Sequence, residues 1–298
     1  MVKEKESWGV SPEITKVTRA VKLLADRDEN VLLLGEIGVG KSYLAKSLHE
    51  MGKRGKFDFL EIPCVAIGDD LPVADVFGNV EKNKTGSMGK AGRGSIYLKD
   101  IDELSPVLQN KLYNFLTTSE KRESRIIASA KPDLEKAVTN KKYRADLFHL
   151  VKQYCIHVPA LRQRRQDIPD LFGNFLQKFC EEFGKPVPAW PEEIFNAIME
   201  YEWPGNIAEL QNCVRNLAML SPAGELSSEY LPFRIKPNPL EILAKKDLAS
   251  AVAEVERYLI RRALTDNKNN QSKAARRLKI SEAALRYKMK KYGLPTAR

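Results

Sequence analysis

The sequence is poor in the residues that build metal centres and disulfides. Its three histidines stand far apart at positions 49, 149 and 157, and its four cysteines, Cys64, Cys155, Cys180 and Cys213, form no C-x-x-C pair. That excludes a zinc ribbon and a disulfide framework, and it predicts a reduced, cytoplasmic chain. No run approaches the ~18 uninterrupted apolar residues of a membrane span, and the start, Met1-Val2-Lys3-Glu4-Lys5-Glu6, lacks an apolar signal segment, so no membrane partner is expected. Internal repeats and low-complexity tracts are also absent, and the chain reads as globular throughout.

What remains is 298 residues, 43% hydrophobic and 30% charged, enough for two or three domains with their own cores. The net charge of +10 is unevenly placed. Residues 240–298 carry 15 Lys and Arg against 6 Asp and Glu, whereas residues 1–239 are nearly neutral. A neutral body with a basic tail argues for a polyanion partner at the C-terminal end.

From about Ser7 to Ala160, short apolar runs alternate with helical patterns, which predicts an α/β domain on a largely parallel sheet. The expected strands are Val31–Leu34, Phe59–Ile62, Ile96–Leu98, Arg125–Ser129 and Tyr154–Val158; the expected helices are Pro12–Ala25, Ser42–His49 and Pro106–Thr117. The period then turns helical, with helices expected at Ile168–Phe183, Pro191–Tyr201 and Asn206–Leu220, and a proline-bearing linker runs from Pro232 to Pro239. The domain boundaries that follow are 7–165 for the α/β nucleotide-binding part, 166–231 for an all-α lid, 232–246 for a linker and 247–298 for an all-α tail.

Gly35-Glu36-Ile37-Gly38-Val39-Gly40-Lys41-Ser42 follows the run Val31–Leu34 and precedes the helical stretch Tyr43–His49. This is a phosphate-binding loop in its required strand–loop–helix setting. The glycines let backbone N–H groups approach phosphates, Lys41 can reach the β/γ oxygens, and the Ser42 hydroxyl suits Mg²⁺. ATP or ADP is the expected cofactor.

In the tail, helices are expected at Leu248–Leu264, Ser272–Leu278 and Ser281–Tyr292. The short Lys279-Ile280-Ser281 connection suits a helix-turn-helix with Ser281 as N-cap. Ala274, Ala275, Leu278, Ile280, Leu285 and Met289 form the expected seam, which leaves Lys273, Arg276, Arg277, Arg286, Lys288, Lys290 and Lys291 facing outward. Glu282, Ala283, Ala284, Arg286 and Tyr287 would then meet base edges in the major groove of double-stranded DNA, with flanking bases on phosphates. Val252, Val255, Leu259 and Ala263 make a stripe on the first tail helix that suits a dimer seam and intramolecular packing equally.

This order of parts resembles the bacterial enhancer-binding proteins, the sigma-54-dependent activators, which are AAA+ ATPases followed by a Fis-type helix-turn-helix. The stretches that carry the resemblance are Gly35–Ser42, Asp75–Gly78, Gly94–Ser105, Arg125–Ala128, Tyr143–Phe148, Leu161–Ile168, Trp203–Asn212 and Ser272–Leu294. Two are specific: Trp203-Pro204-Gly205-Asn206 with Glu209-Leu210 and Asn212, and Ser272-Lys273-Ala274-Ala275-Arg276 leading to Ile280-Ser281.

The departures from the family are as telling. Where the resemblance implies an Asp that organises Mg²⁺ and a Glu that positions water, this chain has Lys99-Asp100, in a register pinned by Gly94-Ser95 and Glu103-Leu104-Ser105. Two unit charges ~4 Å apart interact by about 4 kcal/mol at an effective dielectric near 20, so an ammonium there disfavours a divalent ion. Lys99 could instead lie against the phosphates. Adjacent strand residues point to opposite faces, so Asp100 is not expected to replace the missing acid. Pro63 precedes Cys64 where the family restrains its catalytic Glu with Asn, and the sensor Thr-Asn is Ala130-Lys131. Arg144 matches the first arginine offered to a neighbouring subunit, the second falls on Leu150, and Ala208 stands where the lid supplies a sensor Arg. The loop that grips sigma-54 is replaced around Glu81-Lys82-Asn83-Lys84-Thr85-Gly86-Ser87, without its Phe. Ser42 fills a position often held by Glu, which leaves phosphate or Mg²⁺ contact there unimpaired. With about seven residues before the core, no receiver or sensory domain is expected, so control falls to partners, nucleotide occupancy or expression.

The leading expectation is a DNA-binding transcription regulator on a degenerate AAA+ core that holds ATP or ADP, with Mg²⁺ disfavoured and phosphoryl-transfer parts missing. It would bind a roughly palindromic site as a homo-oligomer, dimeric through its tail, and work with RNA polymerase or a related AAA+ regulator. The competing expectations are a working sigma-54 activator ATPase and a nucleotide-gated interaction protein.

Overall fold

Four consecutive aliphatic residues without polar alternation, Val31–Leu34, are satisfied only in a strand covered on both faces. In the computed structural model this segment is β1 of a five-stranded parallel sheet, with β2 (Phe59–Pro63), β3 (Ser95–Lys99), β4 (Arg125–Ala130) and β5 (Tyr154–His157) in the order β2-β3-β4-β1-β5. The structure describes residues 9–78, 86–118, 123–222, 225–235, 247–267 and 270–294. Glu81 to Thr85 of the altered sigma-54-gripping loop, and residues 236–246 of the linker, lie outside them. The chain divides into two units, 1–235 and 236–298.

The two sheet faces bury different helices. On one, α1 (Pro12–Ala25) and α2 (Lys41–Glu50) place Val17, Val21, Leu44 and Leu48 against Leu33, Tyr97 and Ile127. On the other, α5 (Pro106–Thr118) and α7 (Ala145–Val151) place Leu112, Leu116 and Leu147 in one core with Leu32, Leu34, Ile96 and Leu98. α1 starts where Ser11 caps it and Pro12 fixes the first turn; at its far end the buried Arg125 guanidinium donates to the carbonyls of Leu24 (2.8 Å), Ala25 (3.3 Å) and Glu29 (3.0 Å). Three further short helices, α3 (Val73–Phe77), α4 (Ser87–Lys90) and α6 (Leu134–Thr139), were not expected, and neither was α7. Helices of four to seven residues are too short for a 3.6-residue period to declare itself.

Three longer helices complete the first unit: α8 (Ile168–Glu182), α9 (Glu192–Glu200) and α10 (Asn206–Leu220). They close over a separate core containing Phe172, Leu176, Ile194, Ile198, Trp203, Leu210, Val214 and Leu217.

The second unit holds α11 (Leu248–Asp266), α12 (Gln271–Leu278) and α13 (Glu282–Lys291), each with a side-chain N-cap, from Asp247, Asn270 and Ser281. Ala274, Ala275, Leu285 and Met289 form the seam with Ile260, Ala263 and Leu264 of α11, joined by Tyr292 and Leu294. The α11 stripe is therefore split: Ala263 is buried within the unit, whereas Val252, Val255 and Leu259 stay exposed there. Between α12 and α13 the chain turns at Lys279, whose φ of 57° is left-handed, and Ile280 N–H closes the turn on the Ala275 carbonyl at 3.1 Å. A side chain carries a penalty in this conformation that glycine does not. Lys279→Gly should raise the stability of this unit by roughly 0.5–1 kcal/mol, read from thermal or urea melts; a loss of stability would mean that the lysine side chain contributes more than the turn costs.

Candidate functional site

The phosphate-binding loop leaves β1 at the carboxyl edge of the sheet and enters α2. Gly38 and Gly40 adopt φ of 77° and 102°, a route open to glycine, and no side chain caps α2, so its first N–H groups face outward. Lys41 is buried, and its ammonium donates to the loop carbonyls of Gly35 (2.7 Å) and Glu36 (3.0 Å). Burial lowers its pKa, while Asp100 and Asp102 act in the opposite direction. The cation thus lies across the loop mouth, where phosphate oxygens would replace the two carbonyls.

Ser42 presents its hydroxyl to Tyr97 at 3.2 Å, and the buried Tyr97 donates to Ser129 Oγ at 2.9 Å. Burial pushes the Tyr97 phenol up to about 12. Strand alternation places Tyr97 and Lys99 on one face of β3, the face that α2 covers. Lys99 therefore points to the side of Ser42, and its ammonium lies 3.8 Å from Glu61 Oε1 rather than stacked on the loop.

Asp100 departs from expectation. The strand ends at Lys99, so alternation no longer applies. Asp100 turns back with φ 57°, its N–H donating to Ser129 Oγ at 3.0 Å and its Oδ1 accepting from that hydroxyl at 3.5 Å. The left-handed turn brings this carboxylate to the side of β3 that carries Tyr97 and Lys99. Lys131 follows β4, bonded to Glu103 and 3.7 Å from Asp102, whose carboxyl burial pushes upward. Cys64, behind Pro63, is buried and its thiol is likewise raised by burial.

These residues suit an anion better than a divalent ion. On the face of Ser42 the strand ends in an ammonium, which opposes a divalent ion there, while the turn after it brings back the Asp100 carboxylate. With that cation beside the hydroxyl and the carboxylate, the set fits Mg²⁺ poorly.

The lid closes directly on the loop, through residues whose roles the sequence did not disclose. Arg162 makes a bidentate pair with Glu36, at 2.8 and 2.5 Å, which holds the Glu36 carboxyl below its usual range. Asn206, buried and left-handed (φ 53°), donates to Glu36 Oε2 (3.2 Å) and the Ile37 carbonyl (2.9 Å) and accepts from Leu161 N–H (2.8 Å). Ala208 N–H donates to the Gly38 carbonyl at 3.2 Å, and a Cβ on Gly38 would meet the Gly205 carbonyl at 2.2 Å. Glu209 holds the turn by accepting from Gly205 N–H (2.8 Å) and Tyr201 Oη (3.0 Å). The Trp-Pro-Gly-Asn signature is thus a turn fastened to the phosphate loop. Ile37 and Val39 divide between solvent and core, at 67% and 2% exposed.

Arg144 is held by its own chain. Its guanidinium pairs with Asp146 at 2.9 and 2.5 Å, donates to Asn110 and lies 4.4 Å over the Tyr113 ring.

In the second unit Lys273, Arg276, Lys290 and Tyr287 are exposed, and Ala284 is partly covered behind the Ser281 cap. Arg286 reaches Glu282 (3.6 Å) and Gln271 (3.2 Å), and Arg277 pairs with Asp266 at 2.8 Å. Lys288 corrects the expectation of an outward-facing base: it turns in to Glu256 at 2.6 Å, where Tyr292 Oη also donates at 2.6 Å. A period-based reading put it outward because the acid it meets sits on another helix.

Residues 8–157 match the sigma-54 interaction domain, 162–246 the AAA+ ATPase lid domain and 251–292 the bacterial regulatory protein, Fis family. The transcriptional regulatory protein ZraR of Escherichia coli K12 is 30% identical over 94% of this chain and 67% of its own length. The phenol regulator MopR of Acinetobacter guillouiae is 32% identical over 96% of this chain and 56% of its own. Crystal structures of NtrX from Brucella abortus in complex with ADP and with ATP align with 98% of this chain and 70% of theirs, at TM-score 0.72 and 24% identity, a likeness of fold. No helix among the described residues is long and apolar enough to cross a membrane. Three domains in this order, with a 30% identical relative matched over two thirds of its length, establish that the chain belongs to the bacterial enhancer-binding family of sigma-54-dependent regulators.

Proposed function

We propose that this chain is a DNA-binding transcription regulator whose AAA+ core binds ATP or ADP but hydrolyses it slowly or not at all, and which does not by itself remodel sigma-54 polymerase. The observation that carries the reading is Lys99, an ammonium on the face of Ser42 at the end of β3. Lys131 in place of a polar sensor, Leu150 in place of a second arginine and Ala208 in place of a lid arginine support it. Electrostatic stabilisation and water positioning supply most of the rate in phosphoryl transfer, and these substitutions remove both. The regulator would sit in the cytoplasm on a roughly palindromic DNA site, dimeric through the exposed face of α11, and meet RNA polymerase or an active AAA+ relative there.

Steady-state phosphate release on purified protein tests this. Release near background with a nucleotide analogue still bound is the expected result, and Lys99→Asp alone should recover little, because the other positions remain altered. Brisk turnover would favour the second reading, a working activator ATPase. Asp100 is the observation on its side, since the turn after Lys99 gives the site a carboxylate.

On DNA, Arg286→Ala should cost about 1–3 kcal/mol at the cognate site and much less at random sequence, whereas Lys290→Ala should weaken both alike and reduce the salt slope by about 1. Equal loss at both sites for Arg286→Ala would remove it as a base reader.

A further inference from the structure

The sheet order sets three strands side by side, β3, β4 and β1, and each delivers a lysine to the same carboxyl edge. Lys99 ends β3, Lys131 follows the last residue of β4, and Lys41 closes the loop after β1. In parallel α/β sheets this edge is where ligands bind. The three ammonium groups are close enough to act on one another: besides burial and the opposing, stronger pull of Asp100 and Asp102, both Lys131 and Lys99 oppose the protonation of Lys41.

The neighbouring acids can release them. Lys99 meets Glu61 at 3.8 Å, with the two side chains 43% and 44% exposed, and Lys131 meets Glu103 with 39% and 42% and lies 3.7 Å from the largely covered Asp102. Ion pairs as exposed as those with Glu61 and Glu103 contribute about 0–1 kcal/mol, so Lys99 can exchange Glu61, and Lys131 can exchange Glu103 while keeping Asp102, for a phosphate oxygen at small cost. Ser42, the hydroxyl suited to a metal, already shares a hydrogen bond with Tyr97; the Asp100 backbone N–H is held by Ser129, and its carboxylate acts on Lys41.

We infer that this crevice takes its nucleotide as the metal-free polyphosphate, with the ammonium groups of Lys41, Lys99 and Lys131 in the place of a divalent cation. The inference rests on the nucleotide-binding reading above and specifies the form of the ligand. Lys41 anchors the β-phosphate side, while Lys99 and Lys131 neutralise the outer phosphate, so ATP should depend on the second pair more than ADP does. Mg²⁺ then acts on the ligand: by complexing free ATP it removes the form that binds.

The test is titration of ATP and of ADP into the full chain by calorimetry, with excess EDTA and with excess MgCl₂. ATP should bind in EDTA at least as tightly as in MgCl₂. Lys99→Gln and Lys131→Gln should each weaken ATP in EDTA by about tenfold, the loss of one charge-assisted hydrogen bond, and weaken ADP less. Lys99→Asp should make MgCl₂ strengthen binding. Wild-type binding tightened tenfold or more by MgCl₂ would overturn the inference and leave the nucleotide reading intact, as would Gln variants that bind ATP in EDTA like wild type. Absence of binding under both conditions would overturn the nucleotide reading itself. The wild-type comparison needs no variant to fold.

Discussion

Trp203→Ala should destabilise the first unit by about 3–5 kcal/mol, the largest stability effect expected of a single substitution here. Trp203 is fully buried in the lid core, meets Tyr201 edge-on at 5.1 Å, and donates from Nε1 to the Ile198 carbonyl at 2.8 Å. Truncation leaves a cavity the size of an indole and an orphaned carbonyl. The consequence should reach the phosphate loop, because the residues after Trp203 are those that bond Glu36, Ile37 and Gly38. Denaturant midpoints give the stability, and the calorimetric titration gives the nucleotide affinity, which should fall with it. Trp203→Phe keeps most of the volume and loses the hydrogen bond, at an expected cost of about 1–2 kcal/mol. A loss below 1 kcal/mol for the alanine variant would show that the lid is not organised around this side chain.

Lys41→Ala should reduce nucleotide affinity by about 100-fold or more, the worth of two charge-assisted hydrogen bonds. Its ammonium already holds the geometry for two oxygen acceptors, at 2.7 and 3.0 Å. The fold should survive, since the aliphatic packing of α2 runs through Leu44, Ala45 and Leu48. Melting and far-UV spectra check that, so that lost affinity is separable from lost structure. Affinity within threefold of wild type would discredit the loop as the nucleotide site.

Much of this architecture could be read from the chain because its signals are local. The strand β1 lies where the apolar run placed it, and the loop glycines adopt the conformations that their spacing implies. The cap Ser281 sits immediately before its helix. What could not be read involves partners far apart in sequence or a break in a local rule. Glu36 finds Arg162 126 positions away and Asn206 170 positions away, distances over which no period carries information. Ser42 finds Tyr97 through the packing of a helix on a sheet. Asp100 was misjudged because the alternation rule was extended one residue past the end of the strand, and Lys288 because the helical period locates a face without saying what packs on it.

By itself, then, the sequence determined the kinds of part and their order. A glycine-rich loop between strand and helix, a lid signature and a capped basic helix pair are each specified within about twenty residues by backbone sterics, capping and hydrophobic period. Only the tertiary structure decided which charges face one another: that Lys99 meets Glu61, that Asp100 turns back, that three lysines share one edge and that Arg144 stays with Asp146. Such pairings depend on strand order and on turns of a single residue. Both are settled when the sheet closes and its helices dock, because a charge takes the partner that packing brings within reach.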